Sequence, residues 1–206
     1  MRKDAGRARW LFLLAVFLAA PAAAIHLTIA YPVLERTLDR ELFREQGRYY
    51  LAGGPDDDCS YTYVEQPRLG AEGARLVLRL HLSARLGREV LGQCVGPGEA
   101  FEVVISGVPK IEGTSVTLAD AQLSFPEHPR YEALHEPLLA PFITGPLAQA
   151  LRFDLAAEIR RLTEGAAREG YRIQIGGLVL SGLRAAPGQL EVDVDFRASV
   201  TAGPAP

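Results

Sequence analysis

Two cysteines in 206 residues are too few for a multi-cysteine zinc module or a disulfide-dense miniprotein. No Lys/Arg block follows the first nine residues, and a net charge of -3 with a pI near 5.8 removes the electrostatic footprint of a nucleic-acid binder. Past residue 34 no uncharged stretch is long enough to cross a bilayer, which excludes a polytopic membrane protein. Catalytic signatures are also missing: there is no G-x-S-x-G, no H-E-x-x-H, no Walker loop and no C-x-x-C. His26, His81, His128 and His135 stand without a nucleophile or metal spacing beside them, so no metal and no cofactor is expected. Asp56-Asp57-Asp58 lacks the distal glutamate of a calcium loop and reads as a solvated turn. What is present, 48% hydrophobic and 23% charged residues, suits one globular domain that is not an enzyme.

The chain begins with Arg2, Lys3, Arg7 and Arg9, continues through the apolar run Trp10 to Ala20, and reaches small residues at Pro21-Ala22-Ala23-Ala24. This is the pattern of an export signal cut after Ala24. An uncleaved anchor is the alternative, because charge does not return until Glu35. Either way residues 25 onward are sent across the membrane, and a periplasmic location is expected, with membrane association through the N-terminal segment if it is retained. Without residues 1–24 the chain carries 18 Lys+Arg against 24 Asp+Glu, a net charge of -6. In an oxidising compartment Cys59 and Cys94, each beside a turn-like segment, are expected to form one disulfide.

The expected organisation is residues 1–24 as signal or anchor, 25–202 as one domain and 203–206 as a loose tail. Leu34, Leu38 and Leu42 recur every fourth residue behind Pro32, which predicts a short amphipathic helix of about three turns that begins at Tyr31 and ends near Gln46-Gly47. Residues 59–125 switch to period two. Tyr61 and Tyr63, then Leu76 to Leu82, then Phe101 to Ile105, then Val116 and Leu118 mark four meander strands, and the parity shift at Asp120 reads as a bulge. Leu147, Leu151, Leu155, Ile159 and Leu162 predict one long helix from Pro146 to Arg168. Tyr171 to Leu183, broken at Gly176-Gly177, and Leu190 to Val200 predict a final strand pair. Glu191, Asp193 and Asp195 line the wet face of the last strand, with Arg172 or Arg184 placed to balance them.

The expected fold class is therefore α+β: a strongly curved antiparallel sheet wrapped around one long α-helix, with a short N-terminal helix. This order of elements, from Tyr31-Pro32 to Gln189-Leu190-Glu191-Val192-Asp193-Val194, resembles the tubular lipid-binding (TULIP) superfamily over about residues 27–200. The resemblance implies a groove for acyl chains between sheet and helix. The chain departs from the bacterial lipoprotein members in having no cysteine to carry a lipid anchor after its apolar run. Leu78, Leu80, Val103, Ile105, Leu151, Leu155, Val194 and Phe196 are the expected groove walls, and Tyr61, Tyr63, Arg79 and Arg172 the expected rim. The expected partner is thus a lipid or other hydrophobic small molecule. The competing reading is an envelope assembly module with a filled core, in which Val77 and Val104 on the wet faces belong to an interface with a protein partner.

Overall fold

The computed structural model describes residues 25–127, 132–154, 156, 157 and 171–202. The described chain is mostly β. In order it runs β1 (Ile25–Ala30), α1 (Tyr31–Glu41), β2 (Arg48–Ala52), β3 (Ser60–Glu72), β4 (Arg75–Leu86), β5 (Arg88–Val90), β6 (Gln93–Val95), β7 (Gly98–Glu112), β8 (Ser115–Ser124), α2 (Glu132–Phe142), β9 (Phe153–Asp154), β10 (Tyr171–Ala186) and β11 (Gln189–Ala202). A curled six-stranded antiparallel sheet has the order β2-β3-β4-β7-β8-β9. A three-stranded sheet has the order β1-β11-β10, and β5 and β6 form a separate ribbon.

The expected meander is β3, β4, β7 and β8. In register, Leu78 faces Ile105, Leu80 faces Val103 and Leu82 faces Phe101, so their side chains share the inner face. At Asp120 the register slips between Ser106/Gln122 and Val108/Ala119, which sets two residues of β8 against Gly107. Asp120 itself adopts a φ of 51°. The parity shift in the sequence is therefore a β-bulge. A second slip separates Gly176 from Val179 on β10, at the Gly176-Gly177 break. At the N-terminus of α1, Pro32 occupies the first turn, and the amide of Tyr31 donates to the carbonyl of Gly188 at 3.0 Å.

Among the described residues the single long helix wrapped by the sheet is not found, and the fold class is corrected to a mostly β one with a curled antiparallel sheet. Helix α2 continues through a five-residue π-helical turn, Ile143–Leu147, and one further turn, Ala148–Ala150, where it stops. Phe153 and Asp154 instead pair with Val116 and Ser115 at the sheet edge. The carboxylate of Asp154 then accepts a hydrogen bond from the amide of Ala157 at 3.1 Å, as a capping residue does for a new helical turn. Pro137, Pro141 and Pro146 explain the irregular path, since each removes an N–H and crowds the carbonyl four residues earlier. The four-residue leucine period is thus overridden by strand pairing at 153–154. Leu155, Ile159, Leu162 and Arg168 lie outside the described residues, as do the expected signal 1–24 and tail 203–206.

Two clusters make the core. In one, Leu78, Leu80, Leu82, Val103 and Ile105 of the inner sheet face meet Leu38, Leu42 and Phe43 at the end of α1 and Leu139, Phe142 and Leu147 of the helical segment. In the other, Leu76 and Val116 of the large sheet meet Ile29, Leu190, Val192 and Val194 of the small one. Cys59 and Cys94 form the expected disulfide, which ties the β5–β6 ribbon to the start of β3. Gly87 makes that tie possible: a Cβ there would fall 2.6 Å from the Cys94 sulfur.

Candidate apolar cleft

A cleft of about 1170 Å³ opens between β1, α1, the segment after Pro146 and the middle of β11. Its walls follow from strand alternation. Ile25, Leu27 and Ile29 point to one face of β1, opposite Val194, Val192 and Leu190 of β11, while His26 and Thr28 take the other face with Asp193 and Glu191. Ile25, Leu27 and Ile29 line the cleft together with Val194 and Phe196, and Val33 of α1 faces them. The rim is polar: Arg40, Glu41 and Arg44 come from the end of α1, and Gln149, Arg152 and Asp154 from the segment beyond Pro146.

Glu41 sits between two cations, 2.9 Å from Arg40 Nε and 3.2 Å from Arg44 Nη2. The Arg40 hydrogen bond, with smaller contributions from the charges of Arg40 and Arg44, holds the Glu41 carboxyl below the usual carboxylate range. The side chain of Arg152 is exposed and has no hydrogen bond or ion pair among the described residues.

The seven expected wall residues that the structure describes divide into three groups. Val194 and Phe196 line the cleft. Leu78, Leu80, Val103 and Ile105 are at most 1% exposed in the packed cluster under the helices and do not line this cleft. Leu151 borders a small, partly open cavity of about 30 Å³ beneath α1, with Leu38, Leu76 and Val116. Such a space has room for about one water molecule and none for an acyl chain. Leu155 lies outside the described residues.

The expected rim residues do not stand at this mouth. Tyr61 and Tyr63 are on the outer face of β3, stacked on each other at 5.3 Å, and Arg48 lies 4.4 Å above the Tyr63 ring. Arg79 is held on the same outer face by Glu72 and Glu102, each at 2.8 Å. The side chain of Arg172 is outside the described set. Val77 and Val104 are 2% and 7% exposed, so the interface proposed for them is not open at the surface. Sequence reasoning missed β1, whose Ile-His-Leu-Thr-Ile alternation was the available signal, and with it the arginines beside the cleft.

Two members of the acidic row of β11, Glu191 and Asp193, have side-chain partners within its sheet. Arg184 and Gln189 bind Glu191, and His26 Nδ1 lies 2.9 Å from Asp193. Hydrogen bonding by Arg184, then Gln189, keeps the Glu191 carboxyl below the usual range. Among the described residues no three His, Cys, Asp or Glu side chains gather into a metal-binding group. No described helix is long and apolar enough to cross a membrane.

No family model matches the chain, and no curated protein matches it.

Proposed function

We propose that this is an exported periplasmic envelope protein that binds a hydrophobic ligand, an acyl chain or phospholipid, without catalysing a reaction. The observation that carries the reading is the apolar cleft of about 1170 Å³ walled by Ile25, Leu27, Val33, Val194 and Phe196. That volume is somewhat larger than the usual span of ligand sites, about 300–1,000 Å³. Each methylene moved from water into such a site contributes about 0.8 kcal/mol, so a 16-carbon chain supplies a large driving force against its ordering cost. Kinship with the tubular lipid-binding proteins belongs to the same proposal. It is supported by the curled antiparallel sheet with helical segments against its inner face.

The test is displacement of a fluorescent fatty acid from the wild type and from Val33→Trp. Val33 is half exposed on α1 and faces the cleft, so an indole there occupies ligand space while leaving the core intact. The expected result is at least a fivefold loss of uptake with an unchanged urea midpoint. Equal uptake by both proteins removes the cleft as the site.

A second reading, an envelope assembly module, draws on a different feature. Leu86, Leu91 and Val95 in and beside the β5–β6 ribbon are 72%, 100% and 61% exposed, an apolar arm suited to a protein partner.

A further inference from the structure

We infer that the ligand of the cleft is an anionic amphiphile, and that Arg152 with Arg40 and Arg44 forms its headgroup seat. This rests on the lipid-binding reading above and narrows it to one class of lipid. The argument begins with placement. Arg36, Arg40 and Arg44 follow one another at four-residue spacing along and just beyond α1, an arrangement in which like charges repel and helix formation suffers. Glu35, Asp39, Glu41 and Glu45 are interleaved with this row, so its charge counts for a ligand where the arginines reach the cleft. Arg40 and Arg44 border the apolar cleft, and Arg152 enters the same rim from the segment beyond Pro146.

Among the described residues these cations have few counter-charges. Arg40 and Arg44 share one carboxylate, Glu41. The other rim carboxylate, Asp154, accepts from the Ala157 amide at 3.1 Å and lies 3.4 Å from the Thr114 hydroxyl. Arg40 hydrogen-bonds through Nε alone among the described residues, and the Arg152 guanidinium through none of its nitrogens. Guanidinium groups that keep unused donors among the described residues, beside an apolar trough, match a ligand with a chain at one end and a carboxylate or phosphate at the other, because the planar fork takes two anionic oxygens at once. A neutral lipid would leave the same charges unmatched.

The experiment measures competition against a fluorescent fatty acid by four probes: palmitate, lysophosphatidic acid with a 16-carbon chain, monopalmitoylglycerol and inorganic phosphate. The full chain is used as wild type, as Arg152→Gln and as Arg40→Gln/Arg44→Gln. Both anionic lipids are expected to bind at least tenfold more tightly than the neutral one. Each variant is expected to lose most of that preference while holding monopalmitoylglycerol as before, and the preference should shrink as salt rises. Tighter palmitate assigns a carboxylate headgroup, and tighter lysophosphatidic acid a phosphate. Equal binding of anionic and neutral lipids overturns the headgroup seat and leaves the lipid cleft standing, whereas competition by inorganic phosphate alone overturns it in favour of a simple anion site. If no lipid competes and the fluorescent probe itself fails to bind, the lipid-binding reading falls as well.

Discussion

Ile25 and Val194 face each other across the first pair of the β1–β11 ladder, and both side chains line the cleft. Val194 is buried at 3% exposure whereas Ile25, on the edge strand, is 52% exposed. The two positions therefore respond differently to charge. Ile25→Lys is expected to leave folding stability within about 0.5 kcal/mol of wild type, as surface substitutions usually do, while weakening acyl-chain binding severalfold. Parallel urea and ligand titrations check the pair of outcomes.

Leu151 gives the opposite expectation. It borders the 30 Å³ cavity under α1, which cannot hold an indole. Leu151→Trp should destabilise the fold by about 1–3 kcal/mol through overpacking. Urea unfolding beside Val33→Trp, which is expected to be neutral, shows whether the large cleft and the small cavity are distinct.

The Cys59–Cys94 bridge closes a 35-residue separation. By loop-closure entropy its removal, as Cys59→Ala/Cys94→Ala, is expected to cost about 3.5 to 4 kcal/mol. Denaturant unfolding of the double variant and of the reduced wild type should agree. A loss below about 1 kcal/mol would show that the β3 start and the ribbon hold together without the bond.

Tyr31 couples α1 to the β10–β11 turn, its hydroxyl donating to the carbonyl of Ala186 at 2.8 Å. Burial raises its pKa above the ordinary 10.0, with a smaller upward push from Glu191. The folded state thus disfavours the phenolate. This contribution is complete below the unfolded pKa of 10.0 and is lost as pH rises through the higher folded value. Tyr31→Phe is expected to lower stability at pH 7 by about 1 kcal/mol and to flatten the alkaline limb of the stability curve. Thermal unfolding between pH 7 and pH 11 reads both effects.

Sequence periodicity revealed the parts of the fold in which one strand face or helix stripe alone decides the structure. Leu76 to Leu82, Phe101 to Ile105 and Leu190 to Phe196 alternate because each strand buries mainly one face, with Val77 and Val104 buried on the other, and the bulge at Asp120 shows as a parity change. Strand β1 was hidden because Ile25 to Ala30 continues the apolar run that starts at Trp10, and the boundary between export pattern and strand is marked only by His26 and Thr28. The leucine stripe from Leu147 predicted a continuous helix because four-residue spacing is a local signal. Pairing of Phe153 with Val116 is a contact between residues 37 apart, which no local pattern carries. The cleft was legible in its β11 wall, Val194 and Phe196, but its other wall depended on β1 and its charged rim on where α1 meets the segment after Pro146. Leu78, Leu80, Val103 and Ile105 have the same pattern whether a ligand or a helix covers them, and here Leu139, Phe142 and Leu147 do.

The most direct measurement is native mass spectrometry of the domain purified from the bacterial periplasm without detergent, after expression of the full chain, followed by solvent extraction of any bound species. The account predicts a defined adduct of several hundred daltons that solvent releases and that is identified as a lipid. A protein that runs at its bare disulfide-bonded mass, even after incubation with membrane lipids, would contradict it.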